Sequence, residues 1–261
     1  MRPILFSIGS TGISAFFFMI MIASLSATWL AIRLAKREGL SEIIILDLAI
    51  IAIIASMIGA RVFHVAIEAP DYYWEKPIRV FYFWQGGFVS LGAFTFTAFS
   101  WLIYLRKRGA NIAQYLDLTA NVAPVIIFFV RLGCLLTGCC YGKPAAHWPH
   151  VIFTNPSSTA YLMKHGNIPL HPTQIYFMLN AVVMLVVLML ARKYRKFYGH
   201  VGAIFLMYEG VSRFFIEFLR GDEDRGIYFN GLVSTGQIVM VLFFTAGLLM
   251  WLWLRKNRIS V

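Results

Sequence analysis

The chain has 261 residues, 59% of them hydrophobic and 13% charged, and its mean hydropathy is +0.71. An ordinary soluble domain carries about 25% charged residues, so these proportions exclude a water-soluble globule. The formal charge of +11 is distributed between apolar runs instead of forming one basic face, which argues against nucleic acid as the partner.

Seven apolar runs of membrane-spanning length, roughly 17 to 25 residues each, follow one another along the chain. They cover about 11–33, 43–67, 87–105, 118–137, 173–191, 202–219 and 232–254. The first lacks a small-residue cleavage site and is followed by Arg33, Lys36 and Arg37, so a retained helix is expected and not a removed signal peptide. Two connecting segments are long. One, about 68–86, gathers Tyr72, Tyr73, Trp74, Tyr82 and Trp84, residues suited to the headgroup level of a bilayer. The other, about 138–172, ends in His171-Pro172-Thr173-Gln174. Proline there suits the first position of the fifth helix, whose unpaired amides would point at an anion. No repeat, low-complexity segment or linker interrupts the chain, so a single membrane-embedded domain over 1–261 is expected. The predicted fold class is an all-α integral membrane protein of seven transmembrane helices.

Basic residues set the expected orientation. Thirteen fall on one side: Arg33, Lys36, Arg37, Arg106, Lys107, Arg108, Arg192, Lys193, Arg195, Lys196, Arg255, Lys256 and Arg258. Seven fall on the other: Arg2, Lys76, Arg79, Lys143, Lys164, Arg220 and Arg225. The richer side is expected to be cytoplasmic, with the N-terminus outside and the C-terminus inside. The remaining three cations, Arg61, Arg131 and Arg213, interrupt apolar runs. A cation at mid-bilayer costs about 2.5 to 3.5 kcal/mol on insertion scales. Each of the three lies about six residues before the outer end of its run, or roughly 9 Å deep. Three cations at one level point to an anionic phospholipid headgroup, although snorkelling could account for any one of them.

Other polar residues accompany this layer. Glu209, Arg213 and Glu217 are spaced by four and share a helix face. The carboxylates could belong to a binding stripe or could simply neutralise the arginine for insertion. His64 follows Arg61 by three residues and lies on the same face, about 4.5 Å further out. It is a candidate general base, beside two alternatives: a headgroup-level histidine without chemistry, and a nucleophile that needs no base because nearby arginines favour its anion. Cys134, Cys139 and Cys140 match no tetrahedral spacing, so no metal and no cofactor is expected. Packing of small residues is the expected role, and a disulfide from Cys134 to Cys139 or Cys140 stays open.

The stretch from Arg131 to Pro144, Arg-Leu-Gly-Cys-Leu-Leu-Thr-Gly-Cys-Cys-Tyr-Gly-Lys-Pro, resembles the glycine-rich signature of prolipoprotein diacylglyceryl transferases, in a cysteine-rich variant. Ile58-Gly-Ala-Arg61, Gln85-Gly-Gly87, His171-Pro-Thr-Gln-Ile-Tyr176 and Arg213-Phe-Phe-Ile-Glu217-Phe-Leu-Arg220 add to the resemblance. It implies a multi-pass enzyme of the bacterial inner membrane. Such an enzyme moves diacylglycerol from phosphatidylglycerol to the lipobox cysteine in the signal peptide of a preprolipoprotein, forming a thioether and releasing glycerol phosphate. Its expected partners are those two substrates and membrane lipids.

Within that resemblance, Arg131 and Arg213 are expected to hold the phosphate, with Arg61 as a second contact or a structural pair. Arginine suits phosphate because its planar fork binds oxygens in pairs. Gly133 and Gly138 would allow close approach of substrate or neighbours, and Thr137, His171, Gln174, Tyr208 and Glu217 complete the expected substrate-binding set. The chain also departs from the family pattern. Leu91 stands where a histidine or tyrosine is frequent, Ser14-Ala-Phe16-Phe17 replaces a polar aromatic motif, and Cys134, Thr137 and Cys139 replace asparagines and a glutamate. Tyr208 precedes Arg213 by five residues and not the usual four. A relative with another acceptor, and a phospholipid-binding protein without chemistry, are the alternative readings.

Overall fold

Each apolar run forms a helix, because runs of Leu, Ile, Phe, Ala and Met can satisfy their backbone only internally where water is absent. The computed structural model describes residues 2–8, 11–83, 86–221, 226–228 and 233–257. The long helices are α1 (Ala15–Arg37), α2 (Glu42–Phe63), α4 (Ser90–Lys107), α5 (Ile112–Thr137), α6 (Thr173–Lys193), α7 (His200–Glu217) and α8 (Thr235–Asn257); a short α3 spans Pro70–Glu75. Five of the long ones are extended and apolar enough to cross a membrane: α1, α2 with its continuation to Glu68, α5, α6 and α8. α4 and α7 have 18 residues each, and α7 carries Glu209, Arg213 and Glu217 within that length. The connections add three two-stranded antiparallel ladders: β1 (Ile4–Ile8) with β2 (Thr11–Ser14), β3 (Val151–Ile152) with β4 (Pro169–Leu170), and β5 (Ile227–Tyr228) with β6 (Val233–Ser234).

The chain packs as two compact units, Met1–Ala31 with Leu116–Val261, and Ile32–Tyr115. In the first, α7 and α8 meet backbone to backbone. A Cβ on Gly210 would lie 2.8 Å from the Met240 carbonyl oxygen, so only a residue without one permits that approach. The start of α7 is held by Asp117 of α5, which is 1% exposed. Its two carboxyl oxygens accept the amides of Gly199 and Gly202, each at 2.8 Å, and so satisfy donors that a helix N-terminus leaves unpaired.

The segment after α5 is threaded between two neighbours of the same unit. The Gly142 amide donates to the His171 carbonyl, the Lys143 amide to that of Leu219, and the Gly221 amide to that of Tyr141. Beneath it, Tyr141, Phe153, Ala160 and Leu170 form a small buried core. This threading ties the ends of α5 and α7 and the start of α6 into one place. In the second unit, α2 and α4 cross at Gly59 and Gly92, where a Cβ on either would strike the other's carbonyl.

The Asp117 cap has a measurable worth. Asp117→Ala strands two buried amides at about 1–3 kcal/mol each, so the unfolding midpoint in detergent is expected to fall by about 5–10 °C. Asp117→Asn, which keeps one acceptor, should recover part of that loss. An unchanged midpoint in Asp117→Ala would remove the cap from the account of how α7 is held.

Candidate functional site

Arg131 and Arg213 come together over one aromatic ring. The Arg131 guanidinium carbon is 4.1 Å from the centre of Phe177, one turn into α6, and that of Arg213 is 5.8 Å from the same centre. The ring's negative face attracts each cation but neutralises neither. The adjacent carboxylate is Glu209, one turn earlier on α7, with Oε1 3.9 Å from Arg213 Nη1. Two guanidiniums with one carboxylate leave one positive charge over. Among the described residues, Arg213 Nε is buried without a hydrogen-bond partner and no hydrogen bond engages Arg131. Under-used planar donors with excess positive charge are the arrangement a phosphate completes.

Polar groups from α6 and α7 frame this pair. Tyr208 Oη donates to Asn180 Oδ1 at 3.0 Å, and Asn180 Nδ2 donates to Ser212 Oγ at 3.1 Å. Tyr208 and Ser212 also border an apolar groove of about 380 Å³ shared with Ile204, Met207, Val211 and Phe244. At the start of α6, Thr173 Oγ1 donates to the Cys140 carbonyl and Gln174 Nε2 to that of Cys139, both at 2.7 Å. Gln174 Oε1 is left buried without a partner among the described residues. Pro172 stands one residue before α6, as its cap and not its first residue.

The other predicted residues fall into place around or away from the pair. Gly133 brings α5 against α1, where a Cβ would meet Met19 at 3.1 Å and Phe16 at 3.3 Å. Gly138 turns the chain out of α5 with φ +75°. Thr137 Oγ1 donates back to the carbonyl of Gly133 at 2.9 Å, within its own helix. His171 Nδ1 lies 3.4 Å from Tyr176 Oη. Glu217, 3% exposed, pairs with Arg220. Its Oε2 is 3.2 Å from Arg220 Nη1, and its Oε1 accepts from Ser234 Oγ at 3.4 Å. The stripe read from i, i+4 spacing therefore divides, Glu209 toward Arg213 and Glu217 toward Arg220.

Arg61 belongs to the second unit and is 4% exposed. Nε donates to the carbonyl of Val80, Nη1 to those of Gly86 and Gly87, and Nη2 to those of Arg79 and Tyr82. All five guanidinium N–H groups are thereby engaged, with Tyr73, Phe83 and Phe88 around them. Of its two expected roles, the geometry fits the structural one. Beside it, His64 Nδ1 is 2.9 Å from Tyr73 Oη and Nε2 is 3.9 Å from Glu68 Oε2.

The three cysteines are free thiols. Cys134 is buried in α5, while Cys139 and Cys140 follow the turn at Gly138. Hydrogen bonds from Cys134 and Cys139, together with the positive fields of Arg131 and Arg220, hold the Cys140 thiol well below its ordinary range.

The family model for prolipoprotein diacylglyceryl transferase matches residues 3–253. The chain belongs to this family. It is 30% identical over 249 residues to the phosphatidylglycerol–prolipoprotein diacylglyceryl transferase of Clostridium tetani, covering 95% of this chain and 96% of that one. The transferase of Serratia proteamaculans is 25% identical, with 98% and 94% covered, and transferase 2 of Clostridium perfringens is 27% identical, with 96% and 94% covered. Family membership and the apolar helices together make this diacylglyceryl transferase relative a multi-pass membrane protein. The glycine-rich signature is the segment that carries Arg131 to Phe177, turns at Gly138 and threads between α6 and the end of α7. Asn180 and Ser212 escaped sequence reasoning, although a lone asparagine in the apolar run of α6 was a readable signal.

The two classes of arginine should behave differently. Arg61→Lys has three donors for five carbonyls and leaves partly buried acceptors unpaired at about 1–3 kcal/mol each, lowering the unfolding midpoint by about 5 °C or more. Arg131→Lys, with no described hydrogen bond to lose, should shift it by less than about 2 °C. Equal losses in the two variants would show that Arg131 also holds the fold.

Proposed function

We propose that this protein transfers the diacylglyceryl group of phosphatidylglycerol to the lipobox cysteine thiol of a preprolipoprotein, forming a thioether and releasing glycerol phosphate. The observation that carries this reading is the Arg131–Arg213 pair on Phe177, only half neutralised by Glu209, within a family whose named members act on phosphatidylglycerol and prolipoprotein. In the transfer, the thiol sulfur attacks the glyceryl carbon, the carbon–oxygen bond to phosphate breaks, and the phosphate leaves with added negative charge. Fixed guanidiniums in a water-poor site stabilise charge where it develops, and they need no reorganisation to do so. Glu209 keeps Arg213 oriented, and Tyr208, through Asn180 and Ser212, borders a groove whose apolar lining suits an acyl chain.

All seven long helices cross the bacterial inner membrane in this proposal, with the N-terminus outside and the C-terminus cytoplasmic. Supporting it, α1, α4, α6 and α8 each end in a basic pair: Lys36 and Arg37, Arg106 and Lys107, Arg192 and Lys193, Arg255 and Lys256. Phosphate binding is assigned to Arg131 and Arg213, and Gln174 and His171 border the same end of α6. The thiol proton is assigned to His64.

The decisive test is complementation in cells depleted of their own transferase, scored by diacylglyceryl modification of a reporter lipoprotein. Arg131→Gln or Arg213→Gln should each lower transfer by a factor of about a hundred or more, corresponding to roughly 2.7 to 4 kcal/mol, while Arg106→Gln leaves it unchanged. Activity within a few fold of wild type in both variants would make the pair structural and sink the mechanism. For the thiol, His64→Gln should lower the rate by about a hundredfold and flatten the dependence of kcat/KM on pH. A normal rate and profile would dismiss His64 and leave the arginine field as the source of thiolate.

A further inference from the structure

The threaded segment after α5 does something its sequence spacing does not suggest. Cys134 comes from the last turn of the helix, and Cys139 and Cys140 lie beyond the glycine turn, yet all three Sγ atoms lie within 4.8 Å of one another. Several independent contacts produce this convergence. The amides of Gly138 and Cys139 both donate to the Cys134 carbonyl, which folds the chain back over the helix end. Cys140 adopts φ 54°, a left-handed conformation costly for a residue with a side chain, and it turns consecutive cysteines toward a common point. Gln174 and Thr173 then pin the carbonyls of Cys139 and Cys140 from the start of α6. Thr137 Oγ1 reaches Cys139 Sγ at 3.4 Å.

From this geometry we propose that Cys134, Cys139 and Cys140 form a three-thiolate site for a thiophilic d¹⁰ cation, of which zinc(II) and cadmium(II) are the testable members. Zinc–sulfur bonds of about 2.3 Å place three ligand sulfurs up to about 4.0 Å apart, so the cluster needs only a small contraction to close on an ion. A disulfide would need one pair at about 2.05 Å and would leave the third thiol without a partner. Thiolate sulfur selects soft and borderline cations over magnesium or calcium. Binding releases to solvent the protons that the thiols still carry and forms three metal–sulfur bonds, with no change of oxidation state. The fourth position is left to water or an external ligand, as in zinc sites with three protein ligands.

The test uses the full chain, purified in detergent and reduced under anaerobic conditions. Cadmium(II) titration should give one ion per chain, a sulfur-to-metal charge-transfer band, and protection of all three thiols from a maleimide. Cys139→Ser and Cys140→Ser, both outside the helix, should each weaken binding by about a hundredfold without loss of folding. Cys134→Ser is avoided as the deciding variant because its side chain is buried. Zinc(II) should compete for the same site. The proposal falls if three thiols remain reactive at saturating metal, or if the band persists undiminished in both serine variants. These readouts are independent of transfer activity, so a failure of the proposed reaction leaves them interpretable.

Discussion

Uncompensated positive charge in an apolar protein is the constraint around which the first unit is arranged. Each guanidinium must be held where water is scarce, and a full set of carboxylates would remove the attraction for a phosphate. The structure meets both demands partially: one carboxylate at long range, one aromatic ring shared by two cations, and donors left unspent. Such a site is costly when empty and gains most from a compact, multiply charged oxyanion.

Helix α6 is the element that gathers the site. Thr173, Gln174, Phe177 and Asn180 follow one another at helical spacing along one face, and each has a separate task. The first two fix the cysteine segment, Phe177 seats the arginines, and Asn180 joins Tyr208 to Ser212. At the opposite end of α7, Asp117 fixes the helix that supplies Arg213 by binding its first amides. Positioning is therefore carried by side-chain contacts to main-chain groups at helix ends. Rigidity there matters because a displacement of about 1 Å can cost a hundredfold in rate.

Composition and periodicity made the long helices legible, since hydrophobic length is a direct consequence of bilayer thickness. The arginines and Glu209 were legible for the opposite reason, as polar residues where none is tolerated without cause. Contacts made through the backbone were not. No pattern of side chains announces that Arg61 will be met by five carbonyls, or that an αL residue at Cys140 will bring distant thiols together. The partner of Glu217 was hidden for a related reason. Spacing by four allows an ion pair with Arg213, but Arg220 and Ser234, supplied by the chain beyond the helix, lie closer to its carboxylate.

The clamp at Arg61 has a consequence for how this protein can change. Every hydrogen bond it makes ends on a main-chain oxygen between Arg79 and Gly87, atoms that all amino acids possess. Side chains along that segment can therefore change while these main-chain contacts are kept. Variation is confined to what the loop displays and kept out of where it runs. A single cation thus gives a membrane enzyme an adaptable surface without requiring a new fold.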